Sequence, residues 1–357
     1  MPPRPREKQP LPSLPALPTG NLDEQDEIIT EKIPQSAYEP DNRPIEIVWK
    51  NVLVFIILHS VALYGLFVMV FSAQWLSALY TIILYQMGAF GITGGAHRLW
   101  AHRSYKAKWP LKLILVLCQT LAHQNSVIEW ARDHRVHHKF QETDADPHNA
   151  KRGFFFSHMG WLLCKKHQEV KTKGKGIDLS DLYAEPLLRL QHKYFMVLMP
   201  FGCFVLPTLL PMVLWGETFV NAFCLNMFRY VFSLHATWLV NSAAHMWGSK
   251  PYDSHINPTE NRFVSIFAIG EGWHNFHHTF PWDYKAAEFG NINWSLKIIN
   301  FFARIGWAYD LKTVSPEMIK KRVQRTGDGS HEIWGWGDKD QTKENYESAV
   351  IINKKEE

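Results

Sequence analysis

The sequence predicts an all-α integral membrane protein, with four transmembrane helices in two hairpins and a helical cytosolic cap that holds a histidine-rich dimetal site. Two observations predict this fold. Four apolar segments are each long enough to cross a bilayer, and the histidine motifs all fall on one side of them. The mean hydropathy of −0.20 over 357 residues is typical of a soluble protein, but this average conceals how strongly the apolar residues are segregated.

The four apolar segments are almost free of formal charge, with Arg229 as the one exception. They comprise residues 52–72, 75–95, 195–215 and 219–240. Within each pair the connecting turn is very short, whereas the segments between and after the pairs are rich in Lys and Arg. Because positively charged loops remain in the cytosol, we expect both termini and the long central loop to be cytosolic.

Residues 1–44 and 327–357 are expected to be cytosolic tails. The first hold ten of the twenty prolines and almost no aromatic residues, a composition that cannot bury enough apolar surface to fold. We therefore expect a disordered N-terminal tail, a transmembrane and cytosolic domain at 45–326, and a mobile C-terminal tail. Four cysteines without C-x-x-C spacing predict no disulfides. A net charge of +4 gives no indication of nucleic-acid binding and suits anionic lipid headgroups.

Residues with metal-binding side chains occur in four short motifs. They are the H-x-x-H-H triplets His134, His137, His138 and His274, His277, His278, the pair His97 and His102, and the pair Asn241 and His245. Neutral imidazole is the commonest metal ligand in proteins. One triplet alone fits the polar face of a helix equally well, but two triplets and two further pairs predict a shared metal site.

The spacing within the motifs predicts how they divide between ions. Positions i and i+4 share one helix face, while adjacent residues point about 100° apart. We therefore expect the outer histidines of each triplet to bind one ion and the middle histidine to lean toward a second. His97 and His102 are about 140° out of phase on a regular helix, so they either serve different ions or straddle an irregular turn.

The ligand type narrows the metal and its chemistry. Imidazoles argue against calcium and magnesium, which prefer oxygen, and leave zinc, iron, copper and cobalt open. The protease motif H-E-x-x-H is absent, and a structural zinc needs only four ligands. Two redox metals beside a membrane suggest dioxygen activation on a lipid substrate. The other histidines, including His59, His235, His148 and His158, are expected to be packed or on the surface.

Four longer motifs surround the metal-binding residues. They are Gly-Ile-Thr-Gly-Gly-Ala-His-Arg-Leu-Trp-Ala-His at 91–102, Glu-Trp-Ala-Arg-Asp-His-Arg-Val-His-His at 129–138, Asn-Ser-Ala-Ala-His at 241–245 and Gly-Glu-Gly-Trp-His-Asn-Phe-His-His at 270–278. In this order they resemble the membrane-bound acyl-CoA desaturases of the stearoyl-CoA desaturase family, in particular its insect, moth-like members. The resemblance extends from Ile45 to Trp336.

The resemblance implies a di-iron centre held by these histidines, with Asn241 contacting its iron through water and no catalytic residue beyond the metal ligands. It implies a multi-pass protein of the endoplasmic reticulum membrane that inserts a cis double bond into a long-chain saturated acyl-CoA. Dioxygen would be reduced to water with electrons from NADH, passed through cytochrome b5 reductase and cytochrome b5. The family favours carbon nine for the double bond, with carbon eleven as the alternative.

The resemblance also assigns residues to the substrate. The CoA headgroup maps to Asn51, Asn125, Arg132, Asp133, Lys165 and Lys166. The acyl tunnel maps to Gln124, Thr237 and Trp238 near its bend, and to Tyr85 at its closed end. His123 departs from the family, which often has an aromatic or apolar residue at this position.

Two other functions share some of these features. A membrane di-iron fatty acyl or sterol hydroxylase has similar histidine clusters, but the full length of the desaturase motifs disfavours it. A metal transporter would line a pathway within the helices with histidines, whereas here they gather on the cytosolic side. Asn293-Trp-Ser295 matches a glycosylation sequon, but the expected topology places it in the cytosol.

Overall fold

The computed structural model describes residues 45–333 and 343–348. The expected N-terminal tail at 1–44, and residues 334–342 and 349–357 of the expected C-terminal tail, lie outside the described residues. The α-helices of the described chain are α1 (Trp49–Phe71), α2 (Trp75–Phe90), α3 (Trp109–Ala122), α4 (Val127–Phe140), α5 (Phe154–His158), α6 (Gln168–Lys175), α7 (Ser180–Ala184), α8 (Pro186–Lys193), α9 (Phe195–Met199), α10 (Leu206–Trp215), α11 (Phe219–Asn241), α12 (Ala243–Met246), α13 (Arg262–Phe267), α14 (His274–Thr279), α15 (Trp294–Arg304), α16 (Pro316–Thr326) and α17 (Lys343–Ser348).

Irregular helices and one short strand pair complete the fold. The π-helices are Gly91–Ala101 and Pro200–Val205, the 3-10 helices are Ala150–Arg152 and Gly160–Leu162, and the antiparallel strands are β1 (Lys106–Ala107) and β2 (Ala308–Tyr309). The first π-helix continues α2, and the second joins α9 to α10. Each π-helix is therefore part of a longer helical segment.

Three helical segments of the described chain are long and apolar enough to cross a membrane. They are α1, Trp75–Ala101 and Phe195–Trp215. A fourth is reached only if α3 and α4, which meet at a bend of 82°, count as one span. The expected span at 219–240 is a continuous helix, α11, but its buried polar residues lower its hydropathy and it is not among the three. The structure is consistent with a multi-pass membrane protein, whereas four spans in two hairpins are not confirmed.

The turn between α1 and α2 lies against the turn between α10 and α11. The Glu217 carboxylate accepts a hydrogen bond from the Ser77 hydroxyl at 2.6 Å and from the Gln74 backbone N–H at 2.9 Å. His102 and Asn241 stand at the opposite ends of the helical segments that begin near these turns. The two turns are therefore at the far end of the helices from the histidine motifs.

Arg229 connects α11 to two neighbouring segments inside the apolar region. Its side chain is buried and donates to the Leu121 carbonyl at 3.3 Å, the Cys203 carbonyl at 3.2 Å and the Asn226 side chain at 2.9 Å. Leu121 lies in the last turn of α3, where carbonyls lack a helical partner. The Cys203 carbonyl, in a π-helix, also accepts from the Asn226 side chain at 2.9 Å. The buried guanidinium thus joins the end of α3 and a π-helix to α11.

The C-terminal part of the cap is packed up to the end of the continuous described chain. The Asn293 side chain is fully buried, accepts from the Leu296 backbone N–H at 2.9 Å and donates to the Lys285 carbonyl at 2.8 Å. The sequon is therefore not available to a glycan in the folded chain. His331, in the expected tail, is also buried, with Nε2 2.8 Å from the Glu288 carboxylate. All four cysteines are free, as the sequence predicts.

Replacing Arg229 with Met should destabilise the protein by about 2 to 4 kcal/mol, because the Leu121 carbonyl and the Asn226 amide oxygen lose the guanidinium as donor and the Cys203 carbonyl loses one of its two donors. The temperature at which the monodisperse size-exclusion peak disappears in detergent measures this. Arg229→Lys keeps the charge but cannot reach all three acceptors, so it should lie between Arg229→Met and the wild type. Equal thermal stability of Arg229→Met and wild type would contradict the structural role of this residue.

Candidate metal centre

A π-helix brings the first histidine pair together. His102 donates its backbone N–H to the His97 carbonyl at 3.0 Å, and on a π-helix residues five apart lie on one face. Gly91 allows this wide turn to press against α3, because a Cβ there would lie 2.2 Å from the Gln119 backbone nitrogen. The structure thus favours the irregular turn over the alternative in which His97 and His102 serve different ions.

The nine predicted histidines form two adjacent groups, and within each group the candidate ligand atoms lie within 4.8 Å of one another. The first group is His97, His102, His134, His138 and His277, and the second is His137, His245, His274 and His278. Each triplet contributes its outer pair to one group and its middle histidine to the other. This crossing arrangement is the one that the H-x-x-H-H spacing predicts.

The ring nitrogens converge at distances that suit one ion in each group. Nε2 of His277 lies 3.0 Å from Nε2 of both His97 and His138, and Nε2 of His274 lies 3.1 Å from that of His245 and 3.0 Å from that of His278. Two nitrogens that are each about 2.1 Å from a metal, at right angles, are about 3.0 Å apart. The donor set therefore fits two metal ions.

Three buried carboxylates orient the rings from outside the two groups. Glu271 lies 2.8 Å from Nδ1 of His97, Glu142 lies 2.8 Å from Nδ1 of His245, and Asp146 lies 3.0 Å from Nδ1 of His137. Each carboxylate accepts the Nδ1 proton, which leaves the Nε2 lone pair for a metal. The sequence analysis missed these acids, although Glu271 stands inside a quoted motif, three residues before His274.

Neighbouring charges keep Glu271 ionised, and burial keeps the imidazoles of the second triplet neutral. Burial by itself raises the pKa of Glu271, but the Arg98 guanidinium and His97 outweigh this effect and lower that pKa to about 2. Burial and the neighbouring imidazoles lower the pKa of His274, His277 and His278 well below the usual value. At neutral pH these rings therefore present lone pairs, as metal binding requires.

His148 joins the site although the sequence analysis expected a structural or surface role. It forms a further potential metal-binding group with His137 and Asp146. Its ring centroid is 4.5 Å from that of His137. Only the fold brings it there, because it stands outside every spaced motif in the sequence.

Two cavities meet at the histidine groups. The outer cavity, of about 240 Å³, is lined by residues that include Phe55, Asn125, Asp133, Leu162 and Trp238. The inner cavity, of about 50 Å³, is lined by residues that include Tyr85, Ala89, Ile92, Ala236 and Ala268. Both are also lined by Trp130, His134, Thr237 and Asn241. The two cavities therefore adjoin at candidate metal ligands, His134 and Asn241.

The structure brings most of the predicted substrate residues to these cavities. Asn125, Asp133, Gln124, Thr237, Trp238 and the divergent His123 line the outer cavity, Tyr85 lines the inner cavity, and Asn241 lines both. Gln124 donates to the Thr237 hydroxyl at 2.9 Å, at the junction of the two.

The predicted basic residues lie near the outer cavity but are paired with acids. Arg132 and Lys166 contact Asp133, at 2.8 Å and 2.7 Å. Asn51 donates to the carbonyl of Leu162, a lining residue, at 2.7 Å. Lys165 pairs with the exposed Glu46 and does not line the cavity.

Comparisons with known proteins agree with this geometry. Residues 73–295 match the family described as "Fatty acid desaturase". The chain is 59% identical to an "Acyl-CoA Delta-9 desaturase" of Acheta domesticus, covering 96% of this chain and 99% of that protein. It is 59% identical to an "Acyl-CoA Delta12-desaturase" of the same organism, covering 88% of each. It is 52% identical to an "Acyl-CoA Delta(11) desaturase" of Spodoptera littoralis, covering 88% of this chain and 93% of that protein. The chain belongs to the fatty acid desaturase family.

Proposed function

We propose that this protein is a fatty acyl-CoA desaturase that inserts a cis double bond into a long-chain saturated acyl-CoA. The observation that carries the proposal is the junction of the two cavities at paired imidazole groups, because a chain lying in them would place a methylene pair beside the candidate metal ligands. Relatives at 50 to 59% identity are named acyl-CoA desaturases, which supports the same reaction class.

We propose two iron ions as the resident metals, one in each histidine group, with Asn241 contacting its iron through water. Bound iron would supply the redox activation of dioxygen that side-chain acid–base chemistry cannot supply. Other residues of this protein fix the orientation of the histidine rings. Glu271, Glu142 and Asp146 each fix one ring by its Nδ1 proton, and the triplets on α4 and α14 supply both groups at once.

The remaining residues bind the substrate and keep water away from it. The CoA headgroup would lie at the outer cavity, near Asn51, Asn125, Arg132, Asp133, Lys165 and Lys166, where cations suit its phosphates. The acyl chain would turn at the Gln124–Thr237 hydrogen bond and end at Tyr85. Tyr85 donates to the Phe267 carbonyl, a contact that fixes its ring in the lining of the inner cavity.

The double-bond position depends on the path length from the thioester to the histidine groups. We propose carbon nine, with carbon eleven as the alternative. Relatives of similar identity are named for positions nine, eleven and twelve, so identity alone does not separate them. The wall of the two cavities, rather than the shared metal ligands, is expected to set the position.

We propose four transmembrane segments in two hairpins in the endoplasmic reticulum membrane, with both termini and the 1–44 and 327–357 tails cytosolic. The contact of Glu217 with Ser77 and Gln74 supports this topology, since it joins the two hairpin turns at the end remote from the histidines. α11 has 23 residues, long enough to span, and buries its polar residues against other helices. Electrons would come from NADH through cytochrome b5 reductase and cytochrome b5, on the same side as the cap.

Expression in a yeast strain that lacks its own desaturase tests the function. Fatty-acid methyl esters, analysed by mass spectrometry after derivatising the double bonds, should contain new cis monoenes from saturated C16 or C18 chains. Hydroxylated lipids in their place would identify a hydroxylase. The absence of both products, from protein that carries metal and is supplied with its electron donors, would refute the proposal.

Tyr85→Ala should shift the preferred substrate toward longer chains, because removing the ring extends the closed end of the inner cavity. With a mixture of saturated acyl-CoA lengths, the product ratio of longer to shorter monoenes should rise by about fifteenfold, as expected when two more methylenes, at about 0.8 kcal/mol each, find apolar surroundings. Ile83→Ala is the control, because this exposed residue lies on the same helix and away from both cavities. An unchanged ratio in Tyr85→Ala would place the closed end elsewhere.

A further inference from the structure

Three histidines outside the metal centre form a hydrogen-bonded chain between α1, α11 and α5. Nε2 of His59 lies 3.2 Å from Nε2 of His235, and Nδ1 of His235 lies 2.9 Å from Nε2 of His158. At one end, Nδ1 of His59 lies 2.6 Å from the Phe55 carbonyl oxygen. At the other end, Nδ1 of His158 lies 3.0 Å from the Ser242 hydroxyl. The chain thus runs from inside a membrane segment to the residue that follows Asn241.

The Phe55 carbonyl sets the direction of the hydrogen bonds among the three histidines. A carbonyl only accepts, so a neutral His59 ring carries its proton on Nδ1 and accepts at Nε2. A neutral His235 ring then donates from Nε2 and accepts at Nδ1, and His158 donates from Nε2. Nδ1 of His158 faces the Ser242 hydroxyl, whose single proton can go either to this nitrogen or to the Trp238 carbonyl, 2.7 Å from Ser242 Oγ. The neutral histidines therefore have one arrangement of hydrogen bonds between them.

Two of these histidines, His158 and His235, pack against Trp238. Its ring stacks on Phe55 with centroids 5.8 Å apart. His158 and His235 meet it edge-on, with centroids 5.7 Å and 5.1 Å away. Phe55 and Trp238 both line the outer cavity, and Trp238 is 3% exposed. The three hydrogen-bonded histidines therefore support the part of the cavity wall formed by Phe55 and Trp238, and they do not line the cavity themselves.

We propose that His59, His235 and His158 are positioning residues that determine which methylene pair of the acyl chain lies beside the metal centre, and hence the position of the double bond. This inference rests on the proposed function. Neighbouring carbons are only about 1.5 Å apart, and a misplacement of about 1 Å can lower the rate at a given bond by about 100-fold. A cavity wall held by four consecutive hydrogen bonds would keep the flexible acyl chain in one position relative to the metal centre.

The test compares positional isomers produced from one saturated acyl-CoA. His59→Phe keeps a planar ring but removes the two hydrogen bonds that set the direction of the chain. The ratio of minor to major double-bond positions should rise about fivefold. At 1.4 kcal/mol per tenfold, this is about 1 kcal/mol, the usual net contribution of one neutral hydrogen bond. His235→Phe, which breaks the chain at its centre, should raise the ratio at least as much.

Two further variants on α1 distinguish a role in positioning the acyl chain from a general effect on folding. Ser60→Ala removes a 2.8 Å side-chain bond to the Ile56 carbonyl on the same helix and should leave the isomer ratio unchanged. His59→Gln restores both a donor and an acceptor and should return the ratio toward that of the wild type. If His59→Phe does not accumulate, His59→Asn is the second disrupting variant, because its shorter amide does not reach His235.

The isomer ratio is internal to each product mixture, so it does not depend on how much active enzyme is present. Wild-type ratios in the disrupting variants, with or without a loss of total product, would overturn the positioning role while leaving the proposed function intact. A wild-type protein that makes no monoene at all would instead refute the proposed function, and this inference with it.

Discussion

Lone pairs of imidazole nitrogens face one another across about 3 Å in the helical cap, and the surrounding residues hold them there. Such lone pairs repel unless a cation lies between them, so the arrangement costs free energy until metal binds. Buried carboxylates on the far side of three rings offset part of this cost, and Arg98 in turn holds Glu271 at 2.7 Å. Glu271 thus lies between the His97 ring and a guanidinium that balances its charge.

The helices that form the apolar region also carry residues of the candidate site. α11 carries Arg229, which binds neighbouring helices, and further along it carries Thr237, Trp238 and Asn241 at the junction of the cavities. The segment Trp75–Ala101 begins near Glu217 and ends in the π-helix that positions His97. A change in helix packing within the apolar region would thus be transmitted along rigid helices to the cavity wall.

The sequence predicts which histidines form the candidate metal centre better than it predicts the backbone and the carboxylates that position them. The division of each triplet between two groups follows from helix geometry alone, because i and i+4 share a face. The π-helix at His97 was foreseen only as one of two alternatives, since a period of 3.6 residues does not bring residues five apart together. Glu142 and Asp146 could not be identified, because an oriented carboxylate has no fixed spacing from its histidine. α11 was assigned as a span from its apolar residues, although Asn226 and Arg229 give it the character of a buried helix.

In the proposed enzyme the crossing triplets bind two iron ions, one in each histidine group. Anomalous X-ray scattering at the iron absorption edge, from crystals of the purified protein, locates these ions. Two separate peaks are expected, one bounded by Nε2 of His97, His138 and His277 and the other by Nε2 of His245, His274 and His278. A single peak, or two peaks that follow the zinc edge and are silent at the iron edge, would contradict this assignment.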